Sequence, residues 1–517
     1  MNKEGPLRTL LQGTLLFLIG TIIAKLLSYI YRAVIARSFT IEEYGIFSIA
    51  LAFLTIVSII SNLGFSQGVE RFLGYFSKEN NKLKGIILSA IKITLPFSIL
   101  ISVIVVIFSK NISSLLFSTP TLKSMVIASA IGVPFYTLSD LNLSIFRGFK
   151  LIKYQVIIKD LTENLVKIIL TIIAVYMGFN ILGVIYSYVI ALIISGIIGF
   201  QVVKRKVFSV FDKTIQEAKM HTALLSFSWP IMFTGLLFTA TKWTDTLLLG
   251  LLDTNTSVGL YNAALPIAGL LTLVYTASGS LFIPVLSEMY RENETAVMTK
   301  VVYRLNKWVF LITLPAFILV LLFPQQLLTL LFGAKYSSAA LALQILAIGY
   351  FFGVLMGQVG ALMNITGKTK ERMFVWLSGG IISIALNILL IPRYSLIGAA
   401  IASTLTFIYL NMASYYCIKK AINIRLNYKD YLKPVLAATP PLIISLVFLN
   451  FYTQIGIMLF AIISALFFVV YFTFVVLIKT FDIEDVKILT IIETKLGYKF
   501  NKLRAFLEKY SVKDKGV

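Results

Sequence analysis

The sequence is poor in charged residues, in cysteine and in histidine. Asp, Glu, Lys and Arg make up 13% of its 517 residues, whereas a soluble globular protein carries about 25%. The single cysteine, Cys417, excludes an internal disulfide framework, and the single histidine, His221, excludes a histidine-rich metal site. Hydrophobic residues account for 58% of the chain, and long apolar runs recur from end to end. These features exclude a string of soluble domains and indicate an integral membrane protein.

The apolar runs are long enough to cross a membrane fourteen times. A spanning helix needs about 20 mainly apolar residues, so we expect an all-α membrane protein whose short loops leave no room for a soluble domain. The first run is too long for a cleavable signal peptide, and Lys25 and Arg32 interrupt it. The predicted helices 1 to 14 cover residues 10–36, 46–67, 85–108, 124–146, 156–177, 183–203, 224–252, 258–286, 305–323, 338–363, 374–391, 396–418, 434–451 and 456–478.

Basic residues outnumber acidic residues by 46 to 23, a net charge of +23. In a soluble chain this excess would suggest nucleic acid, but in a membrane chain Lys and Arg accumulate on the cytoplasmic side. Of the 46, 34 fall in the terminal segments and in alternate loops, five in the opposite loops and seven within spans. This asymmetry predicts a multi-pass protein of the cytoplasmic membrane with both termini in the cytoplasm, and it gives no indication of nucleic-acid binding.

The two halves of the sequence resemble each other. Residues 44–51, which open predicted helix 2, match residues 258–265 at an offset of 214, and two weaker matches follow at offsets of 215 and 219. Ordered matches at nearly constant offset predict two six-helix lobes in a parallel pseudo-twofold repeat, with a substrate cavity between them. The predicted domains are an N-lobe over 1–206, a C-lobe over 207–420, helices 13 and 14 over 421–480, and a basic amphipathic cytoplasmic tail over 481–517.

Charged residues inside predicted spans are the strongest functional signal, because each costs about 2.5–3.5 kcal/mol at a helix centre. Lys25 and Arg32 are seven residues apart on one face of predicted helix 1, and Lys242 and Asp245 are three apart on predicted helix 7. A cavity lined by Lys25, Arg32 and Lys242 would suit a phosphate-bearing substrate, since Arg can bind phosphate oxygens in a bidentate fork.

Predicted helix 5 carries a second charged group. Lys159, Glu163 and Lys167 recur at four-residue spacing with Asp160 beside them, which permits ion pairs along one face. This group belongs either to the substrate site or to a structural ion pair near the membrane boundary, and the spacing leaves both interpretations open. For Lys307, near the end of predicted helix 9, snorkelling or structural pairing is the favoured interpretation.

The sequence does not indicate nucleotide-driven pumping. Residues 367–369 (Gly-Lys-Thr) resemble the end of a phosphate-binding P-loop, but position 362 is Leu where that motif needs Gly, and a membrane helix precedes the segment. We therefore expect no cofactor, and a driving force from an ion gradient, the membrane potential or substrate turnover. Asp245, Asp160 and Glu163 are the candidate ligands of a coupling ion, Na+ or H+, and structural pairing is the alternative role of each.

Several stretches resemble the polysaccharide-biosynthesis (Wzx-type) flippases of the multidrug/oligosaccharidyl-lipid/polysaccharide exporter superfamily. The resemblance implies a fourteen-helix, two-lobed, MATE-like transporter, not an enzyme, that moves polyprenyl-(di)phosphate-linked oligosaccharide from the inner to the outer leaflet by alternating access. It also implies a central cationic cavity near predicted helices 1, 2, 7 and 8, where Lys25, Arg32 and Lys242 occupy matching helices. The stretches are 36–39 (Ala-Arg-Ser-Phe), 42–48 (Glu-Glu-Tyr-Gly-Ile-Phe-Ser), 331–336 (Leu-Phe-Gly-Ala-Lys-Tyr), 387–394 (Asn-Ile-Leu-Leu-Ile-Pro-Arg-Tyr) and 397–402 (Ile-Gly-Ala-Ala-Ile-Ala).

Two other functions stay open on the sequence. The first is a multidrug or organic-ion antiporter of the same fold, although seven basic and four acidic residues within the spans disfavour a cationic substrate. The second is a membrane glycosyl-transfer enzyme, which usually needs acidic or His residues on a sizeable external loop. Here the acidic residues on the short external loops are Glu42, Glu43 and Asp253.

The tail beyond Lys479 is amphipathic. Apolar residues recur every three or four positions and lysines take much of the remaining surface, which predicts a helix lying on the anionic inner leaflet. A helix that docks on a partner is the alternative. The apolar residues are Leu489, Ile492, Leu496, Phe500, Leu503, Leu507 and Tyr510, and the lysines are Lys487, Lys495, Lys499, Lys502 and Lys509.

Overall fold

The structure is a computed structural model. It describes residues 5–116, 120–210, 212–422, 429–451, 456–496 and 500–510, except for the side chains of residues 5–18, 115, 116, 120, 429 and 494–496. These ranges are helical throughout most of their length and contain no β-strand, so the predicted all-α fold class is confirmed.

The chain divides into two compact units, of which the amino-terminal unit comprises Ile19–Asn262 and Gly380–Ala399. Two π-helical segments, Val156–Glu163 and Val203–Val207, follow α7 and α9. The helices of the first part of the chain are α1 (Gly5–Ser38), α2 (Ile41–Asn62), α3 (Phe65–Tyr75), α4 (Asn80–Ile107), α5 (Ser109–Leu116), α6 (Pro120–Gly148), α7 (Ile152–Gln155), α8 (Asn164–Tyr176), α9 (Ile181–Val202) and α10 (His221–Leu252).

The carboxyl-terminal unit comprises Met1–Leu18, Ala263–Gly379 and Ala400–Val517. These two units are defined by packing, whereas the predicted lobes are defined by the sequence repeat. The predicted domain boundaries at residues 206, 420 and 480 therefore stay a prediction. The remaining helices are α11 (Asn255–Leu270), α12 (Leu273–Arg291), α13 (Thr295–Leu322), α14 (Pro324–Phe332), α15 (Ala340–Met356), α16 (Val359–Ile365), α17 (Thr369–Ile422), α18 (Lys429–Phe451), α19 (Ile457–Leu477), α20 (Ile483–Leu496) and α21 (Asn501–Tyr510).

Within the described residues, eleven helices are long and apolar enough to cross a membrane, or twelve if the bent pair α11 and α12 forms one span. The predicted number of fourteen is not confirmed. Two places account for the difference. α17 has 54 residues and a non-helical Ser395 (φ 51°) inside it, so its length covers two predicted spans. The segment Ile152–Tyr176 contains five charged residues and a π-helical stretch, so it does not count as a uniformly apolar helix.

The first turn of α2 shows how local sequence starts one of these helices. Thr40 and Glu43 form a capping box, in which the Thr40 hydroxyl accepts from the Glu43 backbone N–H and the Glu43 carboxylate accepts from the Thr40 backbone N–H at 2.9 Å. The predicted loop residue Glu43 is therefore a helix cap. An apolar run follows, and Tyr44 through Ala50 are buried.

Two glycines at equivalent positions of the repeat make reciprocal contacts within the amino-terminal unit. A Cβ atom on Gly45 of α2 would overlap the backbone oxygen of Asn255, and a Cβ atom on Gly259 of α11 would overlap the backbone oxygen of Ile41. Gly45 and Gly259 are 214 residues apart, as are Ile41 and Asn255. The first turns of α2 and α11 therefore cross in backbone contact about a local twofold axis, in agreement with the predicted repeat.

A second pair of contacts follows the same register. Tyr31 of α1 packs edge-on against Phe47 of α2, with ring centroids 6.1 Å apart. At positions 214 residues later, Asp245 of α10 accepts a 2.8 Å hydrogen bond from the Tyr261 hydroxyl of α11. The repeat has thus kept the geometry of the helix pair while replacing an aromatic contact with a buried polar one.

The glycine crossing predicts a specific loss of stability. Gly45→Ala and Gly259→Ala are each expected to lower the free energy of unfolding by about 1–3 kcal/mol, because the overlapped atoms belong to the backbone and cannot rotate away. Gly235→Ala on α10 is the matched control, since nothing lies within 4 Å of its added Cβ. Thermal unfolding of the purified variants in one detergent measures the difference, and equal melting of Gly45→Ala and Gly235→Ala would contradict the crossing.

The tail begins by packing on the carboxyl-terminal unit. Ile488 and Ile492 of α20 lie in one buried apolar cluster with Met289, Val302 and residues of α16 and α17. For α20, therefore, the apolar stripe that the sequence assigned to the membrane surface packs on other helices of the same chain. The side chains of Lys495, Leu496 and Lys499 lie outside the described residues.

A buried group of charges fixes this docking. Lys307 of α13 is 3% exposed and lies 2.7 Å from the carboxylate of Asp485, which is fully buried. The Trp308 indole N–H donates to the same carboxylate at 3.0 Å. Arg304, one turn earlier on α13, pairs with Asp482 at 2.7 Å and also with Glu484. The structural pairing favoured for Lys307 is thus present, with a partner from the tail.

Candidate functional site

All eight residues predicted for the substrate site fall in the amino-terminal unit, on α1, the Val156–Glu163 segment, α8 and α10. The two basic residues of α1 are half-buried. The Arg32 guanidinium lies 3.5 Å from the Tyr44 hydroxyl of α2, and that hydroxyl donates to the backbone oxygen of Asn262 at 3.2 Å. Lys25 lies seven residues earlier, which places it about 10 Å away along the helix axis on the same face.

Lys242 of α10 extends along its own helix. Its side chain is exposed in the absence of lipid, and its ammonium lies 4.3 Å from the centre of the Phe238 ring, close enough for a cation–π contact. Lys25 is within electrostatic range of it. The structure therefore brings together two like charges from α1 and α10, which the sequence placed on separate helices.

The predicted group on helix 5 divides into an ion pair and a separate cation. Lys159 lies 2.6 Å from Glu163, as their spacing permitted, and the other Glu163 oxygen accepts from Ser195 of α9 at 2.9 Å. Asp160 has a buried carboxylate oxygen with no hydrogen-bond partner among the described residues. These residues lie in a π-helical segment, a distortion that is frequent at functional sites.

Lys167, one turn beyond this segment on α8, is enclosed by aromatic rings. Its ammonium lies 5.0 Å from the centre of the Tyr31 ring and 5.7 Å from that of Tyr188, and the residue is 8% exposed. Arg32 and Glu163 are both within electrostatic range of it. A second pair of like charges, Arg32 and Lys167, is therefore held between α1 and α8.

Asp245 lies in a polar cluster of its own. Its two carboxylate oxygens accept from the Tyr261 hydroxyl and from the Asn387 amide, both at 2.8 Å, and the residue is 7% exposed. The Asn387 side-chain oxygen is buried with no hydrogen-bond partner among the described residues. A carboxylate beside a free amide oxygen is the kind of donor set that Na+ or a proton can occupy.

Asp140, the remaining intramembrane acid, is fully accounted for by packing. Its carboxylate accepts from the Asn62 amide at 3.0 Å and from the Ser66 hydroxyl, at the break between α2 and α3. These hydrogen bonds hold α6 against the break between α2 and α3. Because the Asp140 carboxylate is engaged there, it does not neutralise Lys25 or Arg32 of α1.

Four of the predicted basic residues form two like-charged pairs, Lys25 with Lys242 and Arg32 with Lys167. No carboxylate in the described part of the chain lies within salt-bridge distance of Lys25, Arg32, Lys167 or Lys242, and we call these four residues the cationic cluster. Holding like charges together at membrane depth is costly, and an anion that binds between them offsets that cost. The geometry therefore supports an anionic ligand, and Arg32 can engage it through two parallel hydrogen bonds.

Sequence reasoning missed the aromatic and amide groups of this site. Tyr31 and Tyr188 flank Lys167, Tyr44 lies beside Arg32, and Asn387 completes the Asp245 cluster. Tyrosines in apolar runs look like ordinary core residues, so their pattern carried no signal. Asn387 did have one, because it is a polar side chain inside the apolar run of α17.

The fold is that of the multidrug/oligosaccharidyl-lipid/polysaccharide transporters. It is similar to a lipid II flippase, MurJ, in an inward closed conformation, with a TM-score of 0.73, 16% identity, and coverage of 89% of this chain and 98% of that one. It is also similar to a multidrug resistance MATE family transporter in an inward-facing conformation, with a TM-score of 0.63, 13% identity, and coverage of 77% and 94%. These likenesses show a shared fold.

The chain belongs to the polysaccharide biosynthesis protein family, whose model matches residues 10–290, and the MatE model matches residues 230–389. It is 21% identical over 429 residues to a probable low-salt glycan biosynthesis flippase, Agl15, of Haloferax volcanii, covering 81% of this chain and 86% of that protein. It is 22% identical over 422 residues to a putative O-antigen transporter of Shigella flexneri, covering 77% and 97%. The family predicted from the sequence is confirmed.

Proposed function

We propose that this protein is a flippase that moves polyprenyl-(di)phosphate-linked oligosaccharide from the inner to the outer leaflet of the cytoplasmic membrane by alternating access. The observation that carries the proposal is the cationic cluster, four basic side chains within predicted spans that have no carboxylate of the described residues in salt-bridge distance. Its chemistry fits a phosphate diester or diphosphate. The likeness to a lipid II flippase and to a glycan biosynthesis flippase supports the same substrate class.

The orientation in the membrane follows from the loop charges and is part of the proposal. Both termini lie in the cytoplasm, because 34 of the 46 basic residues fall on the side that holds them. The substrate then enters from the leaflet where it is synthesised. The lipid chain stays in the bilayer and the charged headgroup passes through the protein, so that no lipid-soluble part of the substrate has to leave the membrane.

A multidrug antiporter is the second candidate, favoured by the match of residues 230–389 to the MatE model. The cationic cluster argues against it, since two pairs of like positive charges, Lys25 with Lys242 and Arg32 with Lys167, repel an organic cation at short range. An enzyme that transfers sugars would need a general acid or base facing its substrate. Three of the four intramembrane acids described above are instead paired or hydrogen-bonded, Glu163 to Lys159, Asp245 to Tyr261 and Asp140 to Asn62.

Deletion of the gene and complementation in the source cells test the proposed function. The deletion is expected to abolish the surface glycan and to leave its lipid-linked precursor, covalently unchanged, in the inner leaflet, and the wild-type protein is expected to restore display. Normal display in the deleted cells, or dye efflux restored with no change in glycan, would contradict the proposal.

We further propose that Asp245 binds the coupling ion. Asp245→Asn preserves the size of the side chain and its contacts with Tyr261 while removing the charge, so the protein is expected to fold. Transport by the wild type is expected to rise with an imposed Na+ or H+ gradient, and the variant is expected to lose that dependence. Transport in proteoliposomes with each gradient imposed separately measures it. A variant that still responds to the gradient would remove Asp245 from the coupling site.

A further inference from the structure

The last membrane helix, α19, is followed directly by a docked tail. Asp482 and Asp485 cap the start of α20 reciprocally, each backbone N–H donating to the carboxylate of the other residue, at 2.9 and 3.1 Å. Because Asp485 also binds Lys307, α20 is held to α13 within a few residues of the end of α19 at Leu477. The tail is therefore fixed at the level where a membrane helix leaves the bilayer.

The second tail helix, α21, returns to the same level. The Phe506 ring packs edge-on against Phe481, with centroids 5.8 Å apart, and Phe481 lies four residues beyond the end of α19. The Phe500 backbone N–H donates to Glu493 of α20 at 2.7 Å, and Leu507 is buried. These contacts place α21 beside the end of a membrane-spanning helix, with one face on the protein.

The face of α21 that adjoins Leu507 is exposed, and it is both basic and apolar. Lys502, Phe506 and Lys509 follow the helical repeat of one face, and all three are exposed. Phe506 lies at the boundary of this face, because its ring also contacts Phe481. Leu503 beside them is 45% exposed and Phe506 is 39% exposed. Lysines flanking exposed leucine and phenylalanine are typical of helices that lie in the interface of an anionic membrane.

We propose that this face of α21, formed by Lys502, Leu503, Phe506 and Lys509, is a docking surface for the anionic headgroups of membrane lipids. The lysines supply charge complementary to the lipid phosphates, and the apolar side chains enter the headgroup layer. The tail thus has two separate surfaces, one in α20 that binds the protein and one in α21 that binds the leaflet. The inference depends on α19 spanning the bilayer and is independent of the transported substrate.

Residue-specific quenching in the full-length protein tests this surface. In a Cys417→Ser background, a fluorophore is attached at Leu503→Cys, and at Asn501→Cys as a matched control on the opposite face of the same helix. The protein is placed in nanodiscs of phosphatidylcholine alone or with phosphatidylglycerol, each with a lipid spin-labelled near the headgroup. We expect at least twofold stronger quenching at position 503 than at 501 in the anionic discs, and loss of that difference in Lys502→Gln/Lys509→Gln.

Three results would overturn the proposal. Equal quenching at positions 503 and 501 in anionic discs would mean that this face of α21 is in contact with water and not with lipid headgroups. Protection of position 503 from aqueous iodide in detergent without lipid would mean that a second copy or another part of the chain covers it. Abolition of the difference by millimolar inorganic phosphate would make the site a receptor for a free anion. Continued transport of substrate in any of these cases would leave the proposed flippase function intact.

Discussion

Replacing Arg32 with glutamine is expected to slow leaflet transfer of a lipid-linked sugar about tenfold to a hundredfold. A hydrogen bond to a charged group contributes about 1.5–3 kcal/mol, which corresponds to roughly one to two decades in binding. Arg32 is the only guanidinium of the cationic cluster and is half-buried. Its loss therefore removes both the bidentate contact and one of the four charges.

Two further variants separate the geometry of Arg32 from its charge. Arg32→Lys keeps the charge without the planar fork and is expected to retain intermediate transport. Arg37→Gln removes an exposed arginine five residues later on α1 and is expected to leave transport unchanged. Initial rates in proteoliposomes with matched protein content provide the comparison. Wild-type rates for Arg32→Gln would exclude Arg32 from the substrate site.

Removing one partner of the Lys307–Asp485 pair is expected to lower the free energy of unfolding by about 3–5 kcal/mol. Both side chains are almost completely excluded from solvent, and a buried charge that loses its partner is strongly destabilising. Asp485→Asn leaves Lys307 without its nearest carboxylate. Asp485→Ala in addition removes the acceptor of the Trp308 indole N–H.

A double variant distinguishes the lost charge from lost packing. Lys307→Met/Asp485→Leu replaces both ions with apolar side chains of similar volume, which is often neutral or stabilising. The double variant still leaves the Trp308 indole N–H and the Asp482 backbone N–H without their acceptor. We therefore expect it to melt below the wild type but above Asp485→Asn, which leaves the buried Lys307 charge without its nearest partner. Lys92→Gln supplies a control, because the pair of Lys92 and Glu217 is exposed and contributes little. A double variant as unstable as Asp485→Asn would contradict the assignment of a buried ion pair.

The sequence predicted the fold class and the family because these depend on long apolar runs and on short recognisable stretches. The assignment of the cationic residues to the substrate site stays a prediction. The ion pair of Lys159 and Glu163 followed from helical spacing alone. The repeat at an offset of 214 predicted the equivalence of α2 and α11, although not that Gly45 and Gly259 cross in backbone contact. Such a crossing depends on how two helices distant in sequence approach each other.

Contacts between helices that are distant in the sequence could not be predicted from it. The proximity of Lys25 to Lys242 and of Arg32 to Lys167 is set by the packing of three helices. The tail was predicted to rest on lipid from its amphipathic pattern, and that pattern is the same whether lipid or protein covers the apolar face. The sequence did contain one indication that the tail packs on the protein. Asp482 and Asp485 are acidic residues at the start of a basic tail, and they are the partners of the intramembrane Lys307.

The most direct test of the account is leaflet transfer by the purified protein. A fluorescent polyprenyl-diphosphate disaccharide is placed in both leaflets of proteoliposomes, and a membrane-impermeant reductant reports the fraction that reaches the outer leaflet. The wild type is expected to make nearly all of the covalently unchanged lipid accessible, whereas Lys25→Gln/Arg32→Gln/Lys167→Gln/Lys242→Gln is expected to leave the inner half protected. Transfer by that correctly folded variant at the wild-type rate would contradict recognition of the phosphate by the cationic cluster.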